Sequence, residues 1–479
     1  MAQPTVSNNL LVALDRQRPT FLYWQLTLLA TLGGFLFGYD TSNIGSALNF
    51  VPYGLHGLAL GYLVSGASLG AAAGAIVGGP AADRFGRKAL LIVDAAIYAL
   101  GAILSAVTPD AAILLVARTF IGVAIGADSA IATAYIAEYA PKNRRGSLAL
   151  LQQWMITVGI LVSYIIALVI FAAFPGSAAS TGWRLVLGLG AVPALVGLAL
   201  RTQMPESPRW LLRRGRYEDV RKAVSALGAD DISVEDIRRG AEVLASTEAP
   251  DGKRFRGWTP AARRALIVVC VFFVFQQVTG INVPLYYGPH LLGPIFTGPH
   301  ASLVNTTVAG IEVTAIMTAV NVASTYLGFR WIDKLGRRKL AIGGFAGMAV
   351  FAAVAALGLT LLSGTASLVI IMIGLDFFIA SFAIGVGGTG WTLQGEVFPT
   401  AVRGQAAAIA ATVDWIANFA LVEVFPVWQN SIGLGGVMLC FTALCAAAIG
   451  FVYRFLPETR RLGVEEIVAL FAKRPTPAE

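Results

Sequence analysis

The chain has 479 residues, 56% of them hydrophobic and only 13% charged, against about 25% charged in ordinary soluble domains. That balance makes it a polytopic membrane protein rather than a soluble domain. The formal net charge of +8 does not point to nucleic acid, because Lys and Arg sit in short clusters between apolar runs, where membrane topology accounts for them.

In chain order, residues 1–20 are polar and carry Arg16 and Arg18. The apolar run that follows is too long for a signal-peptide core and lacks a cleavage site, so it is expected to stay as the first span. Twelve stretches of spanning length follow one another, at about 21–50, 57–80, 89–107, 110–138, 147–174, 183–203, 261–289, 302–332, 339–362, 367–394, 405–429 and 434–456. Every second connection is basic: Arg84, Arg87 and Lys88; Lys142, Arg144 and Arg145; the segment after Arg209; Lys334, Arg337, Arg338 and Lys339; Arg403; Arg460 and Arg461. By the positive-inside rule both termini are expected in the cytoplasm of a cell-membrane protein. Cys270, Cys440 and Cys445 lie in apolar runs without paired or metal-ligand spacing, which predicts small apolar residues and no disulfide.

Residues 206–260 form the one sizeable polar segment, with helical runs expected around Glu218–Leu227 and Val234–Leu244. The segment is too short and too polar for a catalytic domain, and reads as a helical linker between bundles at 21–205 and 261–457, with a tail at 458–479. An internal repeat supports two bundles. Gly79-Pro-Ala-Ala-Asp-Arg-Phe-Gly-Arg-Lys88 returns as Phe329-Arg-Trp-Ile-Asp-Lys-Leu-Gly-Arg-Arg338. Glu138-Tyr-Ala-Pro-Lys-Asn-Arg-Arg-Gly146 returns as Glu396-Val-Phe-Pro-Thr-Ala-Val-Arg-Gly404, and Pro205-Glu-Ser-Pro as Pro457-Glu-Thr-Arg. The offsets are 250, 258 and 252 residues. Such a duplicated pair of six-span halves places a site between the halves near the bilayer midplane.

The seventh span holds the polar residues that such a site requires, in Phe275-Gln-Gln-Val-Thr-Gly-Ile-Asn-Val-Pro-Leu-Tyr-Tyr287. Amides and loosened backbone in hydrocarbon are tolerated where they line a wet cavity. Gln276, Gln277 and Asn282 offer donors and acceptors to a neutral polyhydroxylated solute without charging the site; the alternative is bonding between neighbouring helices. In the first and fourth spans, Asp40 and Arg118 are each costly alone, and a pair between them is the obvious solution.

Taken together, the Asp-Arg-x-Gly-Arg loops, the Glu-x-x-Pro-x-x-x-Arg-Gly boxes, the two Pro-Glu boxes and Gln-Gln-x-x-Gly-Ile-Asn-x-x-x-Tyr-Tyr resemble the sugar porter family of the major facilitator superfamily over about residues 20–465. The resemblance implies an all-α fold of two pseudo-symmetric six-helix bundles working as a monomer in the lipid bilayer. It also implies an ion-pair latch of the cytoplasmic ends, from Asp83, Arg84, Arg87, Glu138, Arg145, Asp333, Arg337, Glu396 and Arg403. Breaking partly buried pairs at a moving seam can be offset by rehydration.

In proton-coupled members an acid and an Arg at the positions of Asp40 and Arg118 serve as proton acceptor and counter-charge. Burial and a nearby guanidinium act on a carboxyl's proton affinity in opposite senses, so a change in their contact would switch it. A further acid of some relatives, ahead of Pro193, is replaced here by Gly190. Sugar contacts carry over to Gln153, Gln276, Gln277, Asn282 and Tyr286, the last at an outer gate. Gln152 beside Gln153 is expected to face away. Trp391 and Trp415 would stack on the sugar ring with Phe37 on the opposite wall, and Asn321 and Asn418 would add amides.

Two departures stand out. Gly387-Gly388-Thr-Gly390 replaces the Gly-Pro ahead of the span-ten Trp, although glycines can still loosen a helix. Asp414 stands where sugar-transporting relatives carry a neutral amide, and it could accept sugar hydroxyls, attract a cation or bind a proton. Asp94, Asp128, Glu312, Asp376 and Glu423 add acids within predicted spans, several of them expected near span ends and hydrated.

The expected function is proton symport of a monosaccharide or polyol by alternating access. Alternatives are a passive facilitator, a carrier of an organic cation or inositol-like substrate recognised through Asp414, and a non-transporting sugar sensor. No nucleophile motif, phosphate-cradling loop or metal-ligand spacing occurs, so neither enzymatic activity nor a cofactor is expected.

Overall fold

The computed structural model describes residues 21–139, 145–226, 233–235, 237–239, 258–298, 300–399, 402–460, 462 and 464–472. Backbone N–H and C=O groups in hydrocarbon must be satisfied within their own segment, and the long elements are accordingly all helices. The first half contains α1 (Phe21–Ala47), α2 (Leu58–Phe85), α3 (Arg87–Val107), α4 (Ala111–Tyr139), α5 (Arg145–Ala173), α6 (Trp183–Gly188) and α7 (Ala191–Arg201). Then come the short α8 (Pro208–Arg213) and α9 (Tyr217–Ala226). The second half contains α10 (Pro260–Val278), α11 (Asn282–Thr297), α12 (Leu303–Leu335), α13 (Arg337–Thr360), α14 (Gly364–Phe382), α15 (Gly388–Glu396) and α16 (Arg403–Phe455), followed by α17 (Val464–Ala472).

Among the described residues, ten helical stretches are long and apolar enough to cross a membrane. Two features bear on the expected twelve spans. The 27-residue α1 lies outside those ten. The 53-residue α16 is two helices joined across a kink at Gly433, where φ is 73° and ψ 164°, within the expected gap near 430–433.

Other expectations are refined. The seventh span breaks after Val278 and resumes as α11 to Thr297, beyond the expected end at 289. The sixth is interrupted at Leu189 and Gly190. In the linker, α9 covers the first expected run, residues 234–235 and 237–239 are helical, and the remainder of the second run lies outside the described residues, as do residues 1–20. The tail expected after 458 contains α17, which buries Ile467 and Phe471 against α10. Arg264 Nη1 donates to the carbonyl of Ala472 at 3.1 Å.

Close packing is achieved with small residues. Gly70 and Gly74 of α2 lie on the Thr119 and Val123 carbonyls of α4, and Gly122 and Gly126 of α4 lie on the Ala67 and Ala71 carbonyls of α2. Helices without a hydrophobic drive to associate gain attraction from such backbone approach. A side chain there must push the helices apart, so Gly122→Val is expected to cost about 1–3 kcal/mol, read as a lowered thermal midpoint in detergent.

At the end carrying the basic loops, the two halves repeat one design. Arg87 pairs with Asp83 at 2.7 Å and Glu138 at 3.1 Å, and Arg337 pairs with Asp333 at 3.1 Å and Glu396 at 2.6 Å. Glu206 accepts the Arg87 N–H at 3.0 Å and Glu458 the Arg337 N–H at 2.9 Å, each carboxylate sitting at a helix N-terminus where the dipole favours it. Gly86 and Gly336, at φ 106° and 91°, make the turns into α3 and α13, and a Cβ at either would run into Glu206 or Glu458. Ser207 donates to Glu138 as Thr459 donates to Glu396 at 3.1 Å.

Contacts between halves run along α2 with α16, α5 with α12 and α1 with α11. Toward the end opposite the basic loops they are hydrogen-bonded. Asn49 donates to Thr307 at 2.9 Å, Ser65 to Glu423 at 2.7 Å, and Tyr164 to the Leu285 carbonyl at 2.6 Å.

Candidate functional site

The break between α10 and α11 builds the site. Gly280 adopts φ 93° with its Cα against the Phe441 ring, a position that admits no side chain. The break brings residues on either side of it together: Asn282 Nδ2 donates to Gln277 Oε1 at 2.7 Å. Gln277 Nε2 donates to Asp414 Oδ1 at 2.7 Å. Asn282 Nδ2 also donates to Asn418 Oδ1 at 2.9 Å, one turn along α16 from Asp414. Asn418 Nδ2 then donates to Ser68 Oγ of α2 at 3.0 Å.

Asp414, Gln277, Asn282, Asn418 and Ser68 thus form one polar chain that crosses from the second half into the first. Asp414 and Asn418 are buried. Tyr286, buried one turn beyond Asn282 on α11, stands beside Thr41, Ser68 and Asn418. The amides therefore bond neighbouring helices in this conformation. Exchanging an amide partner for a solute hydroxyl leaves no buried group unsatisfied, which keeps the exchange nearly neutral.

Beside this chain, Arg118 Nη1 donates to Asp40 Oδ1 and Nε to the Leu63 carbonyl at 3.3 Å, with both side chains almost wholly buried. The pair ties α1 to α4 within the first half.

The remaining expected residues scatter. Gln276 donates to the Gly387 carbonyl at 3.2 Å, holding the π-turn Ala383–Gly387 that separates α14 from α15; this is the loosened backbone expected of the glycine run. Phe37 and Trp415, expected on facing walls, meet edge to face with centroids 4.9 Å apart, so no sugar fits between them here. Trp391 leans on Phe273 at 5.3 Å. Asn321 is bonded within its own helix by Thr325 at 3.3 Å. Gln153 is half-buried, and the Gln152 stem packs against Gly34 of α1.

Of the expected latch, Arg87, Asp83, Glu138, Arg337, Asp333 and Glu396 close within their own halves. Arg84 is exposed over the Phe85 ring. Arg403 donates to the Phe398 carbonyl at 3.2 Å, and the Arg145 side chain lies outside the described residues.

Sequence reasoning missed Ser68 and Thr41, which carry no signal on their own. It also missed Arg201. The expectation of hydrated span-end acids is corrected for Asp94 and Asp128, which are buried on Arg201. A basic residue closing an apolar span, with two unassigned acids in other spans, was the available clue.

Two look-alike helical halves meeting across a polar chain define a membrane transporter of the major facilitator class. The family profile described as "Sugar (and other) transporter" matches residues 26–471. A "D-xylose transporter" of Levilactobacillus brevis is 34% identical, covering 91% of this chain and 93% of that protein. An "Arabinose-proton symporter" of Bacillus subtilis (strain 168) is 32% identical over 94% and 95% of the two chains. Among solved structures, a partially occluded inward open conformation of the xylose transporter XylE from E. coli is similar, with a TM-score of 0.78 and 28% identity, covering 91% of this chain and 98% of that one. The chain belongs to the sugar porter family, whose members are transporters and not enzymes, and it is a multi-pass membrane protein.

Proposed function

We propose that the protein is a proton symporter for a neutral monosaccharide or polyol, binding it on the Asp414-to-Ser68 chain and coupling through Asp40 with Arg118. The observation that carries this reading is the chain itself: Gln277 and Asn282 of the broken helix joined to Asn418 and, across the halves, to Ser68. A solute that replaces those bonds loosens the halves from one another while it is held. Relatives named as a D-xylose transporter, a glucose transporter and an arabinose-proton symporter support a pentose or hexose as cargo, and the last of them a proton as driver.

With the basic loops on the cytoplasmic side of the cell membrane, the hydrogen bonds from Asn49, Ser65 and Tyr164 shut the outer end. The structure then corresponds to an inward-facing or occluded state, and the latch among the basic loops forms between halves in the outward-facing one. Nothing in this cycle requires more than one copy of the chain.

The test is reconstitution in liposomes with an imposed pH gradient and a panel of pentoses, hexoses and inositol, with organic amines as competitors. Concentrative uptake of one sugar class, indifferent to amines, is the expected result. Saturable uptake of an amine without any polyol would instead make Asp414 a cation site and overturn the reading.

A further inference from the structure

The first half contains a second buried charge cluster that the sugar site does not use. Arg201 Nη1 donates to Asp94 Oδ1 at 2.7 Å and to the Leu91 carbonyl at 2.7 Å. Its Nη2 donates to Asp128 Oδ1 at 2.7 Å, and its Nε to the Leu29 carbonyl at 3.4 Å. Relative exposures are 4%, 3% and 1% for Asp94, Asp128 and Arg201. The second oxygen of each carboxyl, Oδ2, is buried and meets no donor from other described residues, while Oδ1 of each is held by a different nitrogen of the same guanidinium.

Both carboxyls line a cavity of about 10 Å³, together with Gly33, Leu36, Tyr98 and Arg201. That is room for about one water at most, so neither a sugar nor a hydrated cation fits. One guanidinium facing two carboxylates leaves a negative charge in hydrocarbon, which is costly. Among the described residues, the surrounding helices do not supply a second cation. α1 presents Gly33, Leu36 and the Leu29 carbonyl, and α4 presents Ala124 and Ile125. α3 presents Ala95 and Tyr98, whose hydroxyl donates to the Leu36 carbonyl at 3.0 Å. Arg118, beyond Tyr98, is engaged by Asp40.

Two buried carboxyls on a single guanidinium avoid the unbalanced charge when one of them carries a proton, as in other paired-acid sites. We propose that Asp94 and Asp128 hold one proton between them, with Arg201 balancing the remaining carboxylate, and so form a proton site distinct from Asp40. The site goes beyond the symport reading and stands whether or not Asp40 carries the coupled proton. α1 links the two places: Gly33 closes the cavity so tightly that a Cβ would collide with the Asp128 carboxyl, and Asp40 lies about two helical turns further along. A shift of α1 during transport therefore reaches both acids.

Infrared difference spectra of the full chain in lipid, at neutral pH, test the assignment through the C=O band of a protonated carboxyl. Asp94→Asn and Asp128→Asn each leave one carboxylate against the guanidinium, so charge balance and folding are kept. Each is expected to abolish the same band, Asp94→Glu to shift it, and Asp40→Asn to leave it in place. A wild-type protein without such a band, or a band indifferent to both amide variants and to Asp94→Glu, would show two ionised carboxylates and overturn the proposal. Accumulation assays on Asp40→Asn decide the symport reading separately.

Discussion

Replacing Asp40 by Asn is expected to abolish sugar accumulation driven by a pH gradient while leaving sugar exchange across the membrane intact. Asn keeps the shape of the side chain and an oxygen that can accept from Arg118 Nη1, but it does not take up and release a proton near neutral pH. One unit of pH is worth about 1.4 kcal/mol, so one-proton symport can concentrate sugar about tenfold per unit of imposed gradient, and the variant is expected to bring that ratio to unity. Counterflow with labelled sugar, which needs no driving force, separates this outcome from misfolding. Concentrative uptake persisting in Asp40→Asn would remove the coupling role assigned to it. Arg118→Ala is a harsher change: it leaves the Asp40 carboxyl buried without its partner, a loss of about 3–5 kcal/mol, and is expected to reduce the amount of folded protein.

The second large effect is expected at Gln277. Its side chain is the hinge of the polar chain, donating to Asp414 at 2.7 Å and accepting from Asn282 at 2.7 Å. Gln277→Ala removes both bonds and leaves the buried Asp414 carboxyl without that donor. Losing hydrogen bonds of this kind costs about 1–3 kcal/mol, so sugar binding is expected to weaken by about 10–100-fold. Titration of intrinsic fluorescence in detergent measures the affinity directly, with Trp415 and Trp391 close to the site as reporters. Unchanged affinity would mean that the amide chain serves only to join helices. Asn321→Ala, at a residue bonded within its own helix, is the contrasting case and is expected to have a much smaller effect.

Neighbouring positions differ in how legible they were. Gln277 and Asn282 could be singled out because two amides flanking a glycine in an apolar run are locally anomalous. Gln276, equally anomalous, turns away to hold the π-turn of the next helix pair, since adjacent residues on a helix point about 100° apart. Phe37 and Trp415 were recognisable as site aromatics, yet whether a sugar or only each other lies between them depends on how far the halves have rocked. The charged loops show the same limit. Their residue types announced ion pairs, but whether Arg87 and Arg337 pair within a half or across the seam is a property of one conformation.

Hydropathy, basic loops and repeated motifs, all readable within short windows, were enough to establish a membrane-embedded helical chain, a duplicated plan and the family to which it belongs. Apart from the pairing of Asp40 with Arg118, partner choice was not readable in that way. Burial in hydrocarbon forces every charge and amide to find a partner, but which one it finds is set by helix packing, joining residues such as Asn418 and Ser68 that lie 350 positions apart. For that reason the bridge between the halves and the Asp94, Asp128 and Arg201 cluster emerged only from the folded arrangement.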